Sequence, residues 1–97
     1  HEDRLILLEL GSGQSASYAS PREGRLVRTP AVSPDGRWIM FQVSRDGVWL
    51  LDLAAGSMER VLDDTSADEF TWAPDGRRVA FHSRRSGEWG LWMMAAR

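Results

Sequence analysis

Four groups of residues have types and spacings that chemistry uses. Gly11-Ser12-Gly13-Gln14-Ser15-Ala16 formally fits the dinucleotide fingerprint, in which glycines let a backbone approach a pyrophosphate at a helix start. Pro21 interrupts the helix that would have to follow, and no strand–helix–strand pattern surrounds the motif, so it reads as a turn. Nucleophilic catalysis needs Ser with a positioned His and an acid. The two histidines are His1, at the terminus, and His82, which falls in a strand pattern beside Phe81 and reads as a packed strand residue. No Gly-x-Ser-x-Gly elbow is present.

Asp63, Asp64, Asp68 and Glu69 cluster as hard-cation ligands do, but at a spacing that matches no EF-hand; they read as a solvated loop. Arg77-Arg78 and Arg84-Arg85, with Trp89, have the make-up of a stacking and phosphate-contact surface. Balancing acids and a net charge of −2 argue against nucleic acid. The same types suit a protein contact, where Arg and Trp are favoured anchors. The sequence thus assigns no catalytic residue, no metal and no cofactor. It offers Arg45, Asp46, Asp68, Glu69, Arg84, Arg85, Glu88 and Trp89 as a partner-binding set.

The elements that must carry these residues are organised around a repeated turn. Ser33-Pro34-Asp35-Gly36-Arg37 recurs forty positions later as Ala73-Pro74-Asp75-Gly76-Arg77. Proline presets φ, Asp can bond nearby amides, and Gly supplies positive φ, so each copy is a hairpin turn between apolar runs. A period of this size centred on a turn is the mark of a propeller blade. The strands expected are Leu5–Leu10, part of 14–25, Arg25–Ser33, Trp38–Val43, Val48–Leu53, Ser57–Leu62, Glu69–Trp72, Arg78–His82 and Leu91–Met94. Pro30 implies an unpaired or bulged position in the third. In Trp38–Val43, Ile39, Phe41 and Val43 share one face and Trp38, Met40 and Gln42 the other, both largely apolar, as in a sheet covered on both sides.

Leu7–Gly13 aligns with Leu50–Gly56, and Leu91–Met94 with Val48–Leu51. The expected organisation is therefore residues 1–24 as a half blade with its loop, 25–66 as a complete blade, and 67–97 as the first three strands of another. The fold class is all-β, a partial propeller of antiparallel four-stranded blades. The segments Ser33–Phe41 and Ala73–Phe81 resemble the Ser-Pro-Asp-Gly-basic-x-apolar-Ala-Phe core of PD40, or TolB-like, propeller repeats. Ser83–Met94 is similar to the same repeat's Ser-x-Arg-Ser-Gly segment ending in an aromatic strand. The first copy departs by shortening that hairpin to Arg45-Asp46-Gly47. The resemblance implies a protein-binding tendency and mildly favours a periplasmic or extracytoplasmic setting. The family includes envelope-complex proteins, sensor-like domains and the gating propellers of prolyl-oligopeptidase-like peptidases.

Composition adds bounds. Cysteine and lysine are both absent, which removes disulfides, thiol nucleophiles and thiolate metal sites. No apolar run reaches the ~20 residues of a membrane span, and His1-Glu2-Asp3-Arg4 does not read as a signal peptide. A ring needs about 4–8 blades, so 97 residues suffice only with a longer parent chain or with copies of the same chain. Five tryptophans sharpen the point, because burying each is worth about 4–6 kcal/mol gross. Alternation of strands puts the two Pro-Asp-Gly turns and 54–56 at one end. Loops 18–24, 45–47, 63–69 and 84–90 collect at the other, where length and charge vary and a partner is expected to dock.

Overall fold

In the computed structural model, residues 5–10, 14–22 and 25–96 are described, with side chains described from residue 20 onward. Among the described residues nine strands run in chain order: β1 Leu5–Leu10, β2 Gln14–Ala19, β3 Val27–Val32, β4 Trp38–Val43, β5 Gly47–Asp52, β6 Ser57–Leu62, β7 Asp68–Trp72, β8 Arg78–Ser83 and β9 Gly90–Ala95. They form three antiparallel meanders: β1-β2, β3-β4-β5-β6 and β7-β8-β9. This is the all-β architecture of successive propeller blades, one of them with all four strands. Gln14–Ala19 is extended, where a dinucleotide fold would need a helix. The readings placed on His1, on the first four residues, on Gly11–Gly13 and on Gly24 lie outside the described residues.

Each Pro-Asp-Gly segment makes the same turn. Gly36 N donates to Ser33 O and Gly76 N to Ala73 O, both at 2.9 Å, with φ of 77° and 71° at the two glycines. Asp35 Oδ1 accepts from Arg37 N at 3.0 Å, and Asp75 Oδ1 from Arg77 N at 2.9 Å. In the first copy Ser33 Oγ also donates to Asp35 and accepts from Trp38 N, fastening the turn to the strand it feeds.

A bulge interrupts β3 between Arg28 and Ala31, where Thr29 has φ of 48°. The expectation tied it to Pro30. Yet β7 bulges at the equivalent place, between Asp68 and Thr71, with Glu69 at φ of 55° and no proline nearby. The bulge thus belongs to the first strand of the blade; Pro30 is compatible with it and does not cause it.

Both faces of β4 are buried, as the alternation requires. Ile39, Phe41 and Val43 join Trp49 and Leu51 in one cluster. Met40 joins Val48 and Leu50 on the opposite face, which meets Phe70, Val79 and Phe81 of the third sheet and, just outside its strands, Ala67 and Ala96. Two polar side chains among the described residues reach across that apolar joint. Trp72 Nε1 donates to Ala31 O at 2.9 Å, and Gln42 Nε2 donates to Asp64 O and Ala67 O at 3.0 and 2.6 Å. The carboxamide thereby satisfies main-chain carbonyls of the connector between blades, groups that burial would otherwise penalise.

His82 departs from expectation. Its register places it opposite Leu91 on the outward face of the third sheet, and its side chain is 54 % exposed. No blade among the described residues lies over that face, so a position that would be packed in a full ring stands open.

Candidate functional site

The ends of the strands divide the polar chemistry into two regions. At the Pro-Asp-Gly end, Arg37 Nε and Nη2 donate to Asp52 Oδ1 and Oδ2 at 3.2 and 3.1 Å. Asp52 also accepts from Ala54 N and Ala55 N. These bonds, led by the one from Arg37, hold the Asp52 carboxyl below its ordinary pKa. The Ala54 and Ala55 bonds close the turn after β5, and the Arg37 pair ties that turn to the Pro-Asp-Gly turn.

The opposite end is built from the 63–67 connector and the hairpin joining β8 to β9. Ser83 Oγ donates to Asp64 Oδ2 at 2.5 Å, while Ser66 Oγ and Ser66 N donate to Asp64 Oδ1 at 2.8 and 2.9 Å. Arg84 N donates to Ser66 Oγ, tying hairpin to connector, and Arg85 N donates to Ser83 Oγ within the hairpin. Burial alone would raise the Asp64 pKa, but the donors on Ser83 and Ser66, with the charge of Arg85, outweigh it and hold the carboxyl low. Asp64 therefore stays ionised at neutral pH and fixes the mouth of a cleft of about 450 Å³ between Asp63–Ser66 and Arg84–Gly87.

A second cleft of about 310 Å³ adjoins it, sharing Thr65, Ser66 and Arg84, and reaches Arg28, Asp68 and Trp89. Above these clefts the guanidinium of Arg84 lies 5.8 Å from the Trp89 ring centre, and that of Arg85 lies 5.1 Å from Trp92. Such stacking orients cations that remain in water, at about 0.5–1 kcal/mol each. Trp89 is 58 % exposed, a large aromatic surface to leave in solvent.

The partner-binding set is thus brought together in part. Arg84, Arg85, Trp89 and Asp68 line or overhang the two clefts, and Glu88 is exposed beside them. Glu69 lies on the outward face, its Oε1 3.5 Å from His82 Nδ1. Arg45 is exposed at the tip of the shorter hairpin with φ of 61°. Asp46 is committed inside the molecule: it accepts from Trp49 Nε1 at 2.6 Å and Arg22 Nε at 3.2 Å, with Arg60 Nη1 at 3.8 Å. Burial opposes ionisation of Asp46, and these donors overcome it and lower its pKa.

Residues the sequence reading passed over are Asp64 as an anchor, Ser66, Ser83 and Arg28. The Ser-x-Arg-Ser hairpin motif contained Ser83, but nothing local marked its partner nineteen residues earlier. The carboxylates once weighed as cation ligands do not converge. Among the described residues no group of three or more His, Asp or Glu side chains is placed to hold a metal ion. Likewise no helix among them is long and apolar enough to cross a membrane.

No family model matches the chain. An uncharacterised protein of Agrobacterium fabrum is 43 % identical over 44 residues, 42 % of this chain and 15 % of that protein, so the chain spans a small part of its relative. Among solved structures, the β-propeller domain of the Trilobed protease from Pyrococcus furiosus, described as having an open velcro topology, superposes with a TM-score of 0.73 at 20 % identity. The match covers 94 % of this chain and 30 % of that one. The acylaminoacyl peptidase of Pyrococcus horikoshii gives a TM-score of 0.65 at 26 % identity, covering 81 % of this chain and 12 % of that one. The fold is accordingly a partial β-propeller.

Proposed function

We propose that this chain is a PD40-type, TolB-like propeller segment acting as a non-catalytic protein-interaction scaffold through its hairpin-and-connector end. The observation that carries this reading is the pair of stacked cations, Arg84 on Trp89 and Arg85 on Trp92, standing over adjoining clefts whose connector is pinned by Asp64. Arg and Trp held in place and left in water are the side chains that yield most when a partner desolvates them. The reading is tested by placing a photo-crosslinking residue at Arg85 or Trp89, and separately at Arg77 on the Pro-Asp-Gly end, in the parent organism. A discrete crosslinked protein from the first two positions and none from Arg77 is expected. Equal labelling from both ends would remove the assignment.

A second reading is favoured by the solved structures, which come from a protease and a peptidase. In it, the chain is part of the substrate-gating propeller of a prolyl-oligopeptidase-like peptidase, with the catalytic groups on another segment. An α/β-hydrolase region in the parent gene, together with peptidase activity of the full product, selects this reading over the scaffold.

A further inference from the structure

The first strand of two successive blades bulges at the same place. The residue just before the left-handed position is Arg28 in one blade and Asp68, forty positions on, in the next. β3 and β7 lie side by side, and the two bulges, which re-aim the side chains around them, bring opposite charges to one cleft of about 310 Å³. Arg84 and Trp89 of the longer hairpin also line it. Elsewhere an arginine beside a carboxylate pairs with it: Arg22 and Arg60 with Asp46, Arg37 with Asp52, Arg78 with Asp75. Among the described residues Arg28, Arg84 and Asp68 make no such pair, none having an opposite charge within 4.0 Å.

A buried residue lining the same cleft is also left with an unmet group. Gln42, 2 % exposed and opposite Arg28 in register, commits its Nε2 to Asp64 O and Ala67 O. Its Oε1 is buried and accepts from nothing among the described residues. An acceptor in that state is a cost that a ligand N–H removes. The cleft thus offers two guanidiniums to a carboxylate, a carboxylate and an amide oxygen to a nitrogen cation, and the exposed indole of Trp89 to an apolar group. In so small a space both charges of the ligand must sit within a few bonds of each other. A free α-amino acid has that arrangement, whereas an internal stretch of peptide has neither charge. We infer that the cleft binds a free α-amino acid with an aromatic or large apolar side chain. Its carboxylate lies on Arg28 and Arg84, its ammonium on Asp68 and Gln42 Oε1, and its side chain against Trp89. The inference goes beyond the scaffold reading and stands whether or not a protein docks at this end.

Calorimetric titration of the chain with L-phenylalanine, N-acetyl-L-phenylalanine and L-phenylalanine amide separates the two charges. The free amino acid is expected to bind with a dissociation constant below about 1 mM, and each blocked form about tenfold or more weakly. Glycine, with no side chain to lay on Trp89, should bind about threefold or more weakly. Arg28→Met should weaken phenylalanine by about tenfold or more while the urea midpoint stays that of the parent, because Arg28 is exposed and makes no ion pair among the described residues. Asp68→Asn should weaken phenylalanine and leave N-acetylphenylalanine unchanged. Any of four results would overturn the inference: no heat from phenylalanine up to about 10 mM, glycine bound as well as phenylalanine, Arg28→Met bound as well as the parent, or N-acetylphenylalanine bound as tightly as the free amino acid. The last would make the cleft a site for a peptide's C-terminal residue.

Discussion

Replacing Asp64 by alanine removes one buried carboxylate and three donor contacts at once. Ser83 Oγ, Ser66 Oγ and Ser66 N all lose their acceptor. Hydrogen bonds to a charged group contribute about 1.5–3 kcal/mol each. Two effects reduce the sum: the serine hydroxyls, 3.2 Å apart, can bond each other, and the cost of burying the charge disappears. The net expectation is a loss of about 2–4 kcal/mol, which at about 1.5 kcal/mol/M lowers the urea midpoint by about 2 M. Tryptophan fluorescence reports the transition, since Trp72, in the sheet that carries Ser83, hydrogen-bonds across the joint.

The asparagine variant supplies a second readout. With the folded pKa of Asp64 lowered from 3.8, its stabilisation is complete at neutral pH and is lost as pH falls through the folded value. Asp46 is shifted in the same direction, so acid destabilisation is shared, and Asp64→Asn should remove only its own part. A loss below about 0.5 kcal/mol for Asp64→Ala, the range of an ordinary surface change, would refute the reasoning. So would an acid limb in Asp64→Asn that superimposes on that of the parent.

Backbone geometry gives further expectations for the same denaturation assay. Arg45→Gly relieves a left-handed residue and should stabilise by about 0.5–1 kcal/mol after the entropic cost of glycine is counted. Gly47→Ala would set a Cβ 2.6 Å from the Leu62 carbonyl oxygen at φ of 145°, and should cost about 3 kcal/mol. Gly90→Ala, forty-three residues on, meets only the Trp92 side chain at 3.4 Å and should cost about 1 kcal/mol or less. Trp72→Phe strips the Ala31 carbonyl of its indole donor and should lower stability by about 1–2 kcal/mol.

What could be seen in the residues was whatever a turn or a strand decides within a few positions. Pro34-Asp35-Gly36 and its copy fix their own φ and their own donors, and β4 shows its two buried faces by alternation alone. The joint between sheets was hidden because its partners are remote: Trp72 meets Ala31 across 41 residues, and Gln42 meets Ala67 across 25. Asp46 read as a surface anchor because a turn carboxylate looks the same whether or not an indole and two guanidiniums converge on it. For His82, the strand was legible, but which side of it would be left uncovered depended on how many blades follow.

The grip of Gln42 on the carbonyls of Asp64 and Ala67 makes the linker between blades something other than a tether. Hairpin tips can gain or lose residues freely, as the two unequal ones in this chain show. The stretch from 63 to 67 cannot, because its own peptide groups form part of the interior. When such a gene duplicates or recombines, the workable cut falls within a tip, and the glutamine must travel with the connector it holds.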